Sequence, residues 1–333
     1  MTDTLSLSTL TGWKKVKDTL EDYNYRLLSF EERGTQYPSF FLAFDLLDPS
    51  QHLKVRGALT RGLSGPRLTR LEQELCHKYE GRKANNGPEK VDVIALIRDI
   101  VFDCVGIPKE EALEILATYT VSQRYLKHEG EQSPEGRYAL QLALERIGEA
   151  LGDRPRLSSS FVRFLDEDAT YTEEQKLYLV VPFFDMLVAE KTFELPIALA
   201  KALSECPGQT PIVSSEVCDN QRNFDDYFHE CARLLEGIQV QRTLRYSHTS
   251  SKLNPSSPVV HLDISQANRD ESVFTQAQQF CPHRKNVRQH LSFGKGEHAC
   301  LGQSLVYTIC RVMAHALELL SAPAGQRTDQ VSQ

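Results

Sequence analysis

Nowhere do the 333 residues supply the roughly 20 consecutive apolar positions of a membrane-spanning helix. The opening segment, Met1–Lys15, lacks a basic start followed by an apolar run, which predicts no signal peptide and no N-terminal membrane anchor. The eight cysteines include no Cys-x-x-Cys pair, so a structural zinc site has no support. At this density, without a secretion signal, they do not suggest a disulfide framework either, and most read as small buried apolar side chains. Positive charge is also short. The 38 lysines and arginines stand against 45 aspartates and glutamates, a formal net charge of -7, which lacks the basic excess of a nucleic-acid binder. What remains is an ordinary globular composition, 41% hydrophobic and 25% charged, with apolar material for a sizeable core. A soluble, cytoplasmic protein is the expectation.

Helical periodicity dominates. Leu53, Leu59, Leu63, Leu68, Leu71 and Leu75 recur at helical spacings on both sides of Gly65-Pro66, which predicts two helices over 52–81. Residues 91–105 read as a buried apolar helix or helix pair, ended by Gly106-Ile107-Pro108. Surface helices are predicted over 109–126 and 135–151, joined by the polar stretch Lys127–Pro134. A long helical pattern over 172–205 carries Pro182 and Pro196, each expected to kink it. Another helix is predicted over 222–236 and a last one over 301–320. β-like runs occupy 238–247 and 259–264, and an irregular stretch covers 266–296. Residues 322–333 read as a loose tail. There is no internal repeat and no clear linker. The fold class is therefore mainly α, one domain over 1–333 with a minor β-sheet. The alternative is two helical domains divided near Gly152–Arg154.

The chemistry concentrates in Phe293-Gly-Lys-Gly-Glu-His-Ala-Cys300-Leu-Gly302. Gly294 and Gly296 permit a tight loop and close backbone approach. Cys300 then precedes a long helix, where a thiolate gains from the helix dipole and free N–H groups. Gly302 leaves space for something flat and bulky. Together these make a cradle for a metal-bound thiolate.

The decamer resembles the thiolate loop of the cytochrome P450 family, Phe-x-x-Gly-x-x-x-Cys-x-Gly, at every fixed position. Glu230-Cys-Ala-Arg233 resembles the family's Glu-x-x-Arg on a helix. Ala267-Asn-Arg-Asp270 with Phe274, then Phe280, Pro282 and Arg284, resemble its irregular meander, and His290-Leu-Ser-Phe293 leads into the loop. Asp48-Pro49, His52 and Arg56, followed by Leu63, resemble the helix that grips the haem propionates; the four-residue spacing lets His52 and Arg56 address one anion. The resemblance covers about residues 45–320. It implies a cytochrome P450-like single domain holding heme b, with Cys300 as axial ligand to iron. His52, Arg56, His290 and His298 would meet the propionates, as would Arg245 or, equally, Arg242. Phe293, Gly294 and Gly302 would shape the cofactor slot. Glu230, Arg233 and Arg284 would form a structural triad. His283 and His315 read as ordinary side chains.

Two departures stand out. The family carries Ala-Gly-x-Glu/Asp-Thr-Thr on the helix beside the haem. Aligned without gaps from Pro207, this chain reads Leu187-Val-Ala-Glu-Lys-Thr192. Glu190 keeps the acid, Val188 replaces the glycine, and Lys191 stands at the alcohol with Thr192 beside it. A one-residue slip restores Thr192 but sets Lys191 at the acid. Glu190, Lys191 and Thr192 are the candidate catalytic residues. A buried ammonium is costly unless paired. Lys191 is thus read as paired with Glu190 or a propionate, as a binder of a substrate anion, as a proton donor, or as turned away from the haem. The second departure is length: 51 residues precede His52 and 33 follow Cys300, less than relatives usually carry. Residues 1–45 then form a shortened N-terminal region, and the pocket is more open, closed by a partner subunit such as a homodimer mate, or shaped for a large substrate.

These features imply an oxidative haem-thiolate enzyme, a P450-like monooxygenase acting on a small organic or secondary-metabolite substrate. The alternatives are a P450-like enzyme without ordinary dioxygen activation (peroxygenase, dehydratase, rearrangement or cyclisation) and a non-catalytic haem-binding protein. Arg284, Lys285, Arg288 and Lys295 form a run without carboxylates that could steer an acidic ferredoxin- or flavodoxin-like donor. No nucleic-acid partner is expected.

Overall fold

The computed structural model describes residues 8–27, 49–80, 92–129, 133–152, 157–168, 170–188, 190–205, 221–244, 259–282 and 284–321. Helices dominate as predicted. The leucine-rich segment forms α2 (Pro49–Gly62) and α3 (Gly65–Glu80), broken at the Gly-Pro; a short α1 (Trp13–Glu21) precedes them. The apolar run is one helix, α4 (Val93–Val105). The Asp92 carboxylate caps it by accepting from Ile94 and Ala95 N–H at 3.0 and 3.1 Å, an interaction worth about 1 kcal/mol. Gly106 ends it in the left-handed region at φ 91°.

Helix α5 (Lys109–Glu129) runs three residues beyond its predicted end, because no glycine or proline intervenes before Gly130. Helix α6 (Pro134–Ala150) starts on a Ser133 cap with proline at its first position. Then come α7 (Phe161–Glu167), α8 (Glu173–Val188) and α9 (Glu190–Glu205), with Pro182 and Pro196 inside the last two. Helix α10 (Gln221–Leu234), the one-turn α11 (Ile264–Ala267) and α12 (Gln303–Ser321) follow among the described residues.

Among the described residues the sheet has four strands: β1 (Ser8–Leu10), β2 (Tyr25–Leu27), β3 (Gln239–Leu244) and β4 (Val259–Asp263), in the order β1-β4-β3-β2. β1 lies parallel to β4, with Thr9 opposite His261, and the other pairs are antiparallel. The periodicity reading anticipated β3 and β4 but not β1, α1 or β2. Trp13, Val16 and Leu20 repeat at helical spacing and were the available signal for α1.

Three apolar clusters hold the fold. The main one joins α2–α8 and α12 through Leu75, Ile97, Ile100, Phe161, Phe184 and Val312, so residues on both sides of Gly152 share it. A second, with Leu199, Phe224, Phe228 and Cys310, joins α9, α10 and α12. A third seats α1 on the sheet through Val16, Leu20, Val260 and Leu262. Each such buried side chain contributes roughly 1.5–3 kcal/mol.

Candidate functional site

The C-terminal part of α10 is built around one arginine. Arg233 is fully buried, and all five of its N–H donors are engaged. Nε and Nη2 donate to the two Glu230 oxygens at 2.8 and 2.7 Å. Nη1 donates to the carbonyls of Asn268 and Ala277 at 2.8 and 2.7 Å, and Nη2 also to Gln279 O at 3.2 Å. Arg284 Nη2 reaches Glu230 at 3.4 Å and Gln279 O at 3.2 Å, and its Nη1 donates to Thr275 O. The i,i+3 spacing of Glu230 and Arg233 therefore serves a buried pair that pins an irregular chain, where no sheet or helix satisfies the carbonyls.

The neighbouring motif is used residue by residue. Asn268, also fully buried, accepts Leu291 N–H at 2.7 Å and donates to Ser292 Oγ at 2.9 Å. Arg269 donates to Leu234 O at 2.7 Å. The Asp270 carboxylate accepts Trp13 N–H at 2.9 Å, tying α1 to the meander, and hydrogen bonds from Ser272 and Trp13 hold its pKa below the usual carboxylate range. Trp13 Nε1–H donates to Gln289 O at 3.0 Å.

This scaffold presents the loop. Gly294 and Gly296 adopt φ of +68° and +73°. At Gly296 a Cβ would also stand 2.7 Å from Leu20 O of α1, so only glycine suits this contact. Cys300 N–H donates to Phe293 O at 2.7 Å, closing the loop, and the Cys300 side chain is exposed. The described helix begins at Gln303, two residues later than the pattern predicted. A Cβ at Gly302 would touch Cys300 Sγ at 3.7 Å, and its absence leaves that side of the sulfur open. By contrast, Cys104, Cys231 and Cys310 are buried in hydrocarbon, and burial raises their thiol pKa values, to about 12 for Cys231.

The other predicted site residues separate into groups. Arg56, on α2, donates from Nη2 to Ala299 O at 2.9 Å and so stands beside the cysteine. His298 is 9% exposed at its side chain, with Nε2 3.6 Å from Glu297. Phe293 stacks on Phe228, with centroids 5.9 Å apart and planes 8° apart. His290 has partners the sequence did not suggest: its Nε2 lies 3.0 Å from His229 Nδ1, and its Nδ1 accepts Ser292 N–H at 3.3 Å. Burial, with His229 and Lys295 nearby, pushes its pKa down to about 3. The side chain of His52, and Arg245 altogether, lie outside the described residues; Arg242 sits in β3 opposite Leu27 and Val260.

On the α8–α9 side, Val188 packs against the main core and Thr192 is half-buried on α9. The side chains of Glu190 and Lys191 lie outside the described ones. One turn before Val188, the Asp185 carboxylate accepts a hydrogen bond from Tyr119 of α5, and burial raises its pKa to about 6. The basic run is less uniform than its sequence suggested. Arg284 is 6% exposed and belongs to the triad, and Arg288 pairs with Asp225 at 2.9 Å.

The residues present fit a thiolate-bound haem. Among the described residues, Arg56 Nη1 is buried without a hydrogen-bond partner, next to the loop that carries Cys300. An anionic group there satisfies it, and the open flank at Gly302 admits a flat ring.

No family model matches the chain. Among curated proteins it is similar to cyclomarin C epoxidase CymV of Salinispora arenicola, 23% identical over 289 residues, covering 78% of this chain and 68% of that protein. It is also similar to cytochrome P450 119 of Sulfolobus acidocaldarius, 40% identical over 77 residues, 22% of this chain and 21% of that one. Among solved structures it resembles ligand-free CYP164A2 of Mycobacterium smegmatis, with a TM-score of 0.67 and 21% identity over 93% of this chain and 83% of that one. These curated relatives and solved structures are cytochromes P450, and the likeness to the solved structures gives this chain the P450 fold. Its mainly helical architecture with a small mixed sheet is the P450 fold. Cytochromes P450 carry a haem held by a cysteine thiolate. Among the described residues no helix is long and apolar enough to cross a membrane.

His229, Ser292 and Trp13 are the structurally important residues that sequence reasoning missed. Nothing in the spacing of the two histidines marks them as partners, since 61 positions separate them.

Proposed function

We propose that this chain is a haem-thiolate monooxygenase acting on a small organic or secondary-metabolite substrate, with Cys300 as the axial ligand. The observation that carries the reading is the exposed Cys300 on a loop closed by its own N–H, flanked by Gly302 and by Arg56 with a buried donor to spare. When bound, the haem supplies oxidising chemistry, and a thiolate ligand favours O–O cleavage by electron donation. The chain's own residues do the rest. Gly294 and Gly296 give the loop its turn, Phe293 braces it against Phe228, and Arg56 holds the Ala299 carbonyl with one nitrogen and offers the other to a propionate. His298 and His52 are proposed for the second propionate contact, with Arg245 or Arg242 from the strand side. His290 is a weaker candidate, because both its nitrogens already have protein partners. The triad of Glu230, Arg233 and Arg284 fixes the meander from which the loop departs. Glu190, Lys191 and Thr192 are proposed to hold and pass protons toward bound substrate. A ferredoxin- or flavodoxin-like protein is proposed as electron donor, with Lys285 and Lys295 as the basic contacts left once Arg284 and Arg288 are paired.

Val188 favours a second reading, since its packed side chain stands where the family keeps a glycine. A peroxide-driven or non-oxidative reaction needs less room for dioxygen there. The test is a carbon monoxide difference spectrum of the reduced, haem-loaded protein, wild type against Cys300→Ser. The thiolate-type band is expected in the wild type and absent from the variant; its persistence in the variant sinks the ligand assignment. Turnover that depends on a donor and dioxygen separates the first reading from the peroxide-driven one.

A further inference from the structure

Two consecutive residues of α10, Phe228 and His229, face the segment that leads into the Cys300 loop. The protons of the histidine couple follow from its neighbours. Ser292 N–H donates to His290 Nδ1, so that nitrogen is bare and the neutral ring carries its proton on Nε2. His290 Nε2–H then donates to His229 Nδ1 across 3.0 Å, which places the proton of neutral His229 on its own Nε2. His290 is 5% exposed. His229 borders a cavity of about 490 Å³ that it shares with Glu72, Gln303, Tyr307 and Arg311, so the couple has one sealed end and one accessible end.

We infer that His229 is a positioning residue for the Cys300 loop, acting through His290 and the backbone of Leu291–Phe293. The chain of contacts is continuous. His229 accepts from His290, His290 accepts from Ser292 N–H, and Phe293 O accepts from Cys300 N–H at 2.7 Å. Phe228 stacks on the Phe293 ring, and the His290 ring flanks that ring at 5.7 Å. The loop's closing carbonyl is thus set from α10, with His229 as the switchable part. Protonation of His229 converts Nδ1 from acceptor to donor, and two N–H groups then face each other. The charges around the couple bear on this step. Arg288 and Lys295 oppose a proton on His229, whereas Asp225 and Asp226 favour it. Arg233, Lys295 and His229 itself oppose a proton on His290. The inference rests on the haem-thiolate reading for what the loop carries, but the couple itself does not.

The experiment compares wild type, His229→Asn and His229→Leu in the full chain, prepared with and without haem. Asparagine sets an oxygen acceptor near the Nδ1 position and does not titrate; leucine removes the acceptor. Without haem, emission of Trp13, the chain's single tryptophan, is followed against pH, because its indole N–H bonds Gln289 O next to His290. Asp270, which accepts Trp13 N–H, titrates alike in all three proteins and cancels. The wild type is expected to show an acid transition that His229→Asn lacks, and His229→Leu to show the displaced emission already at neutral pH. With haem, the wild type is expected to lose its thiolate-type band at a higher pH than His229→Asn. If His229→Leu does not fold, the asparagine variant decides alone. Identical pH profiles for His229→Asn and wild type, in emission and in the band, overturn the inference. If no thiolate-type band forms in any of the three while the emission difference persists, the couple stands and the haem-thiolate reading fails.

Discussion

The two sides of this P450-like fold are held together by different physics. On the α10–α12 side, an irregular chain from Asn268 to Gly302 is fixed by side chains that reach backbone groups: Arg233 to three carbonyls, Asn268 to Leu291 N–H, Ser292 to Ala232 O. On the α4–α9 side, regular helices satisfy their own backbone, and apolar contacts such as Ile100, Phe161 and Phe184 do the holding. Irregular backbone needs a particular donor or acceptor at a particular place; helix packing accepts many side chains of similar volume. Substitutions should therefore act locally and steeply on the first side, and gradually on the second.

The sharpest break comes from Arg233→Met. It leaves buried Glu230 without its bidentate partner, with only Arg284 and Cys281 N–H still reaching it, and takes the Arg233 donor from the Asn268 and Ala277 carbonyls, which should cost about 3–5 kcal/mol. Denaturant unfolding of the full chain measures it, and a loss under 1 kcal/mol would refute the picture of a pinned meander. Asn268→Ala should cost roughly 1–3 kcal/mol by leaving Leu291 N–H buried and unmatched. Hydrogen exchange should show the added opening confined to residues near the loop rather than spread over α4–α8.

The helical side contains one polar exception that sharpens the contrast. Asp185 has a folded pKa of about 6, above the unfolded value near 3.9. The folded state binds the extra proton between those values, so this group's contribution to stability falls as pH rises from about 4 through 6. Asp185→Asn should remove that slope and raise stability at pH 7 by about 1 kcal/mol, less than the full shift implies because the variant also gives up the charge-assisted hydrogen bond from Tyr119. An unchanged pH profile would show that Tyr119 offsets the burial. The smallest effect concerns Asp270, whose folded pKa is lowered. Its contribution is present above the unfolded value and is lost as pH falls through the folded one. Asp270→Asn should flatten the acid limb of the stability curve, and an acid limb identical to wild type would remove the carboxylate from the link to α1.

The same contrast explains what could be read before the structure. The Cys300 loop, Glu230–Arg233 and the Asn268 stretch were legible because irregular backbone restricts residue identity position by position. The helices were legible from apolar period, with boundaries off by a few residues wherever no breaker stood at the end, as at Glu129. The His229–His290 couple was not legible, because it depends on how α10 lies against the loop and on no local pattern. His290 was assigned to an anion on motif order alone, and the structure gives both its nitrogens to protein neighbours. β1 and β2 carry no measurable period because each is a strand of three residues, whereas the spacing of Trp13, Val16 and Leu20 was the one signal for α1.

The parallel pairing of β1 with β4 has a consequence for biosynthesis. Residues 8–10 find their partners only after residues 260–262 have been made, and Leu20 meets Gly296 later still. Helix α1 must wait, unseated, until those downstream residues have been made, since contacts so distant along the chain form slowly. Stable capture of a haem at Cys300 should accordingly be a late event, possible only once the pairing of β1 with β4 and the Leu20–Gly296 contact have formed.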